Sequence, residues 1–404
     1  MDEKVVIEEF GADGYDRREF LKRSVVAGAA VSALGAISIE VASAGSKQKL
    51  DTVRWVTPRG TLEVMDDYNI LIPIKMGYFQ KLGIDARLFP GDASGNLPQV
   101  AANQYDMGYA SPGVLTASVD AGVPVTSVWS QIPGQVFDFV LPADSKITHP
   151  RQLKGKTIAL YTIGWKPIVD PMLAEVGVDP KTVKYKEFGP QWNQAVALKL
   201  VDAGLSWEGL RAQLNGMSSI FGAGFNFKFL VGQQWGSKLP SNSYQVRTAD
   251  LDDPKKVDIY KRFLTGVVMG FEFARANPRA AAQITYEEYP GLQVALDSLL
   301  ELHAGYSASR RNPPGLYGFH YTKQWDKYLG FIAKFGQTKK RLKVSDVLTN
   351  ALVRDANTKA DKRTARRDAL AYQKKLTPAF RSTTIPKNAK LYTTRGARIS
   401  QGGH

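Results

Sequence analysis

Pro73-Ile74-Lys75-Met76-Gly77-Tyr78-Phe79-Gln80-Lys81-Leu82-Gly83-Ile84 is the stretch on which the fold turns. Apolar residues at helical spacing run from Asp66 to Gln80. They stop at Lys81-Leu82-Gly83, where Gly83 suits the left-handed position that closes a helix. Ile84 to Phe89 (IDARLF) then alternates, the period of a strand. Upstream, Val53 to Thr57 (VRWVT) is β-branched and aromatic and reads as the preceding strand, broken by Pro58-Arg59-Gly60. Downstream, the loop from Pro90 to Gly95 leads into a helix over 97–103, with Ser94 or Asn96 as its cap. Strand 106–109, helix 112–121 and strand 123–130 follow. Such alternation implies parallel βαβ units with helices on both faces of a sheet.

The alternation then restarts. Strands are expected over 138–141, 157–161, 183–188, 204–207 and 227–231, and helices over 166–176 and 193–201. A long helix spans 255–276, Pro278 opens the next, and two more cover 291–303 and 321–335. What recurs is βα organisation in two lobes. The chain has 404 residues, 44% hydrophobic and 23% charged, which is enough for two or three ordered domains. Cysteine is absent, which excludes disulfides, thiolate metal sites, Fe–S clusters and thiol nucleophiles. The four histidines, His149, His303, His320 and His404, form no HExxH pair, so no metal site is expected. No GxSxG or GxxxxGK[ST] occurs, and Gly222-Ala223-Gly224 lacks the third glycine of a dinucleotide turn. The expectation is a binding protein without cofactor rather than an enzyme.

At the N-terminus, Arg17-Arg18-Glu19-Phe20-Leu21-Lys22 precedes fifteen apolar or small residues, Val25 to Ile39, and then Ala42-Ser43-Ala44. A charged region, a short apolar run and an A-x-A site make a secretory signal. The paired arginines with x-Phe-Leu-Lys resemble a twin-arginine signal, although Asp16 stands where Ser or Thr is usual. Residues 1–44 are therefore expected to be removed, the mature chain starting near Gly45 in the periplasm. The net charge is +15. Residues 354–404 carry thirteen Lys/Arg against three Asp/Glu, so the excess sits in what reads as a solvated basic C-terminal tail. No basic–aromatic motif points to nucleic acid.

The opening stretch resembles the block of a helix, Gly-Tyr-Phe, Lys-x-Gly-Ile and a strand found in solute-binding proteins of ABC transporters. The branch in question is the nitrate/sulfonate/taurine and thiamine-precursor group. Tyr105-Asp106-Met107-Gly108, Gln152-Leu153-Lys154-Gly155-Lys156-Thr157-Ile158-Ala159 and Val201-Asp202-Ala203-Gly204-Leu205-Ser206-Trp207-Glu208 are similar to further blocks, in the same order. The resemblance covers roughly 52–348. It implies an α/β, two-lobed type II periplasmic-binding-protein fold: lobe 1 from 51–137 plus 245–353, lobe 2 from 138–244, and a ligand cleft between them. It further implies hinge closure on a small polar or anionic solute, sulfonate-, nitrate- or taurine-like, and delivery by a monomer to a membrane permease with its ATPase. A thiamine-precursor pyrimidine is the alternative solute, and a sensor or an enzyme of the same fold the alternative role. The chain departs from the pattern in the Gly- and Phe-rich 209–236, in 310–318 and beyond Arg354.

Ligands of open α/β sheets lie beyond the carboxyl ends of strands, where helix N-termini favour anions. Three loops meet that description: Pro58-Arg59-Gly60-Thr61, Ala110-Ser111-Pro112-Gly113 and Thr162-Ile163-Gly164-Trp165. Candidate ligand residues are thus Arg59, Gly60, Thr61, Ser111, Thr162, Gly164 and Lys166. Tyr68, Trp165, Trp192 and Trp207 are candidate aromatic walls, with core packing open as the other reading for each ring. Glu208 would suit an amino-bearing ligand.

Overall fold

The computed structural model describes residues 49–59, 67–93, 95–131, 136–207, 209–211, 214, 227–232, 235, 238–289 and 315–384. All of them belong to one compact unit, Ser38–His404. The first sheet contains β1 (Asp51–Val56), β2 (Ile84–Phe89), β3 (Met107–Ala110), β4 (Val125–Ser130) and β10 (Ser243–Arg247), in the order β2-β1-β3-β10-β4. The second contains β5 (Phe137–Pro142), β6 (Thr157–Leu160), β7 (Lys184–Glu187), β8 (Ala203–Trp207) and β9 (Phe227–Val231), in the order β7-β6-β8-β5-β9.

The two sheets have the same plan. β1, β2 and β3 are parallel, as are β6, β7 and β8. Each sheet also holds an antiparallel strand that the βαβ reading does not foresee. β10 runs against β3 and β4, and β5 runs against β8 and β9. The reason is connectivity: a chain that crosses to the other lobe enters its sheet from the end at which the parallel strands finish. β10 itself is absent from the sequence reading, because SYQVR is five residues long with a buried glutamine at its centre.

The helix expected over 66–80 is two helices, α1 (Tyr68–Lys75) and α2 (Tyr78–Lys81). Gly77, at φ 69°, breaks it, and Gly83 at φ 71° closes α2 ahead of β2. α3 (Asn96–Ala101) begins after Gly95, and Asn96 serves as a buried donor to the Tyr109 carbonyl rather than as a cap. α4 (Pro112–Asp120) follows β3; α5 (Lys166–Glu175) and α6 (Trp192–Ala197) belong to the second lobe. The long α7 (Pro254–Ala276) then packs on β1 and β2 of the first sheet, and α8 (Pro278–Glu288) packs on α1 and α7. Gly266 and Gly270, one turn apart on α7, let α1 and α2 lie close. A Cβ on Gly266 would stand 2.4 Å from the Phe79 ring, and one on Gly270 2.4 Å from the Asn69 carbonyl. The helix expected over 291–303 lies outside the described residues.

α9 (Thr322–Lys334) and α10 (Val344–Val347) are followed by the segment read as a solvated tail, and here the structure differs. α11 (Val353–Lys359), α12 (Lys362–Tyr372) and α13 (Pro378–Ser382) pack on α7 and α8. Ala365, Ala369 and Tyr372 recur at i, i+4 and i+7 and are buried, as are Leu376 and Phe380. Arg279 of α8 donates to the carbonyls of Phe380 and Thr383 at 2.7 and 2.6 Å. Deleting residues from Asp361 onward is therefore expected to destabilise the protein. Three large apolar side chains are lost, at roughly 1.5–3 kcal/mol each. A urea titration of the truncated and full chains measures the difference; an unchanged midpoint would contradict the packing.

Candidate functional site

β4 ends at Ser130, β5 starts at Phe137, β9 ends at Val231 and β10 starts at Ser243, so the chain passes between the lobes twice. Register puts both passages at the edge where the parallel strands finish: Ser243 lies opposite Ala110, and Phe137 opposite Trp207. The carboxyl ends of the two sets of parallel strands thus flank one cleft beside a two-stranded hinge. Both ends of the hinge are pinned by polar groups. On the first lobe, Asn69 exchanges hydrogen bonds with Gln131 and donates to the Tyr244 hydroxyl at 2.8 Å, while Gln131 N donates to Asn242 O at 3.0 Å. On the second, Asp138, 1% exposed, accepts from Gly232 N at 2.8 Å and pairs with the buried Arg211 at 2.5 Å. Burial raises the Asp138 carboxyl pKa, while the Arg211 charge and the Gly232 N–H oppose that rise.

The lobes also touch away from the hinge. A Cβ on Gly113, at the start of α4, would stand 3.1 Å from Pro167 Cβ at the start of α5. Tyr328 of α9 donates to Pro167 O at 3.0 Å, Lys327 pairs with Glu175 at 2.9 Å, and Gln337 donates to Asp170.

On the first-lobe wall, β1 delivers Thr57 and then Arg59. Gly91 approaches so closely that a Cβ would lie 2.5 Å from Thr57 O. The Arg59 guanidinium is held 2.8 Å from Asp67, itself 1% exposed, and 5.7 Å above the Tyr109 ring. Its charge is thus already answered by a buried carboxylate. Ser111 caps α4, its hydroxyl accepting from Val114 N at 3.3 Å. Tyr68 is fully buried, edge-on to Phe271, in the core under α7. Gly60 and Thr61 lie outside the described residues.

On the second-lobe wall, the Thr162 hydroxyl accepts from Gly164 N at 3.4 Å and Glu187 accepts from Ile163 N at 2.7 Å. A carboxylate of the protein therefore already occupies the polar turn after β6. Lys166 lies with its ammonium 5.2 Å above the Tyr185 ring, and its charge works to lower the pKa of Asp170, which burial keeps raised. The aromatics do come together. Trp165 meets Trp192 and Trp207 edge to face, with centroids 5.4 and 6.0 Å apart, and Trp192 and Trp207 are nearly parallel at 6.1 Å. Tyr161, which the sequence reading missed, stacks on Trp165 at 5.5 Å and is 42% exposed. Its position directly after β6 matches that of Trp207 at the end of β8. Trp192 is the anchor: it is buried and donates its indole N–H to Leu205 O at 2.9 Å. Tyr161, Trp165 and Trp207 are less buried and sit at the carboxyl-end edge of the sheet. Glu208 lies outside the described residues, as do Arg17, Arg18, Phe20, Leu21, Lys22, Ala42 and Ala44.

The family model described as NMT1/THI5 like matches residues 67–281, more than half of the chain. The chain belongs to the NMT1/THI5-like family. Its fold is the periplasmic-binding-protein fold. It resembles the alkanesulfonate-binding protein SsuA of Xanthomonas axonopodis pv. citri bound to MOPS, with TM-score 0.57 and 14% identity, over 74% of this chain and 98% of that one. It also resembles the periplasmic aliphatic sulphonate binding protein SsuA of Escherichia coli, with TM-score 0.56 and 12% identity, over 73% and 91%. A ligand binding component of an ABC-type import system of Staphylococcus aureus, with zinc bound, aligns with TM-score 0.55 and 12% identity, over 76% and 99%. No curated protein matches the chain in sequence.

Asp138→Asn would remove one charge of the buried Asp138–Arg211 pair, a change that typically costs about 3–5 kcal/mol. Because Asp138 also holds Gly232, the loss is expected in the second lobe and at the hinge together. Hydrogen exchange at the 227–232 amides should speed up along with the drop in melting temperature. Unchanged exchange there would contradict the pinning role.

Proposed function

We propose that this chain is the exported solute-binding component of an ABC importer, closing its two lobes on a small organic solute and presenting it to a membrane permease and its ATPase. The observation that carries the reading is the pair of strand-end walls facing one cleft beside a two-stranded hinge, one of them built from Tyr161, Trp165 and Trp207. The resemblance to sulfonate-binding SsuA proteins supports it. Closure is a hinge motion of rigid lobes, it requires no catalysis, and a monomer suffices.

The solute has a flat or cyclic body and a polar or anionic head. The aromatic wall takes the body, since base–aromatic stacking is worth about 1–3 kcal/mol. The head goes to the Ser111 end of α4, because Glu187 already fills the equivalent turn on the other lobe. A ring-bearing sulfonate suits both walls. An aminopyrimidine is the second reading, favoured by the same rings.

Screening nitrate, taurine, MOPS and an aminopyrimidine by thermal shift is expected to single out one ring-bearing solute. A ligand at a hundred times its Kd adds about 2.7 kcal/mol to the native state. Trp207→Ala should weaken its binding by about 1–3 kcal/mol in calorimetry. Arg59→Ala is the poorer probe, because it breaks the buried ion pair with Asp67 whether or not a ligand binds. A panel in which nothing stabilises, or in which Trp207→Ala binds normally, would sink the cleft assignment.

Export follows the twin-arginine route, with cleavage near Ala44 and delivery to the periplasm. Replacing Arg17 and Arg18 together by Lys is expected to leave uncleaved precursor in the cytoplasm. Fractionation that finds normal periplasmic delivery of the double variant would refute this route.

A further inference from the structure

The outer face of the C-terminal helices carries a concentration of charge with no part in the cleft. Residues 354–384 hold nine Lys/Arg against three Asp/Glu. The three acids are turned to local work: Asp355 pairs with Lys261 at 2.6 Å, Asp361 caps α12 at Thr364 N, and Asp368 meets the Tyr78 hydroxyl and Arg367, each at 3.2 Å. With Ala365, Ala369 and Tyr372 turned inward, α12 presents Arg363, Arg366, Arg367 and Leu370 outward, and Lys374 continues the stripe in the next turn. Arg366 is engaged by Glu272 at 2.8 Å, whereas Arg363 and Lys374 enter no salt bridge among the described residues. Leu370, in the middle of this stripe, is 64% exposed.

We infer that this face docks the chain onto an anionic phospholipid surface. Charge complementarity selects an anionic partner. Leu370 selects lipid over a phosphate backbone: an apolar side chain ringed by cations matches an interfacial helix, which sinks its apolar group among headgroups while its cations meet the phosphates. Residues 385–404 add four Lys/Arg and no acid to the same end of the chain. The position suits docking as well. Among the described residues, α11, α12 and α13 bond to Tyr78, Lys261, Glu272, Asn277, Arg279 and Glu287, all on the first lobe, so a docked protein keeps its second lobe free to move.

The test is co-sedimentation of the full chain with vesicles of phosphatidylcholine alone or mixed with phosphatidylglycerol, at low and high salt. The chain should bind the mixed vesicles at low salt, release them at high salt and ignore the neutral ones. At about fivefold per cation near the surface, removing three charges costs on the order of a hundredfold in affinity, so the charge-reversed R363E/R367E/K374E should lose at least that much with its melting temperature unchanged. Should that variant melt early, R363Q/R367Q/K374Q replaces it, and L370S should weaken binding without altering its salt dependence. The N-terminal segment is common to all variants, so the differences report the stripe. Absence of binding to mixed vesicles, equal binding by the charge variants, or retention by an oligonucleotide or an acidic protein but not by vesicles would overturn the proposal.

Discussion

The buried carboxylate of Asp138 holds side by side two segments that this fold requires to stay together. One is the start of β5, where the chain enters the second lobe; the other is Gly232, where it leaves. Arg211 makes the burial of that charge tolerable, and the three groups behave as one unit because a lone buried ion is costly. Asn69 and Gln131 play the corresponding part on the first lobe with neutral amides. Each anchor is built into a sheet: Asp138 pairs with Ser206 and Val231, and Tyr244 with Tyr109 and Trp129.

The electrostatics of the cleft follow from which charges are already spent. Arg59 is bound to a buried aspartate, Lys166 sits over a tyrosine ring, and a glutamate caps the turn beside the tryptophans. Neither cation points unpaired into the cleft as a recognition group for a compact anion. Among the described residues, the groups we propose for recognition are a helix N-terminus on one wall and aromatic faces on the other. This division of labour supports a solute with two chemically different ends.

Much of the architecture was legible because period decides element type. The alternation in IDARLF and the glycine stop at Gly83 suffice to place β2 after a helix, and repetition of that grammar implies two sheets. Gly77 escaped because a single glycine inside an apolar run reads as tolerated until its φ is known. The C-terminal helices escaped because their inward face is built partly of alanines, so the basic residues dominate the pattern. In the site, the three tryptophans were visible as residue types and Tyr161 was not, since a tyrosine after a strand is ordinary. The partners of Arg59 and Lys166 were hidden for a different reason: Asp67, Tyr185 and Tyr109 reach them only through folding.

Two lobes moving about a doubly pinned hinge can be measured directly, because the chain has no cysteine to interfere with labelling. Arg87 on the outer strand β2 and Lys186 on the outer strand β7 are both exposed. Spin labels on R87C/K186C report the separation of the sheets by double electron–electron resonance. With the stabilising solute of the screen, a single narrow, shorter distance is expected; without it, a broader and longer distribution. Identical distributions with and without a solute that calorimetry shows to be bound would contradict hinge closure as the mode of capture.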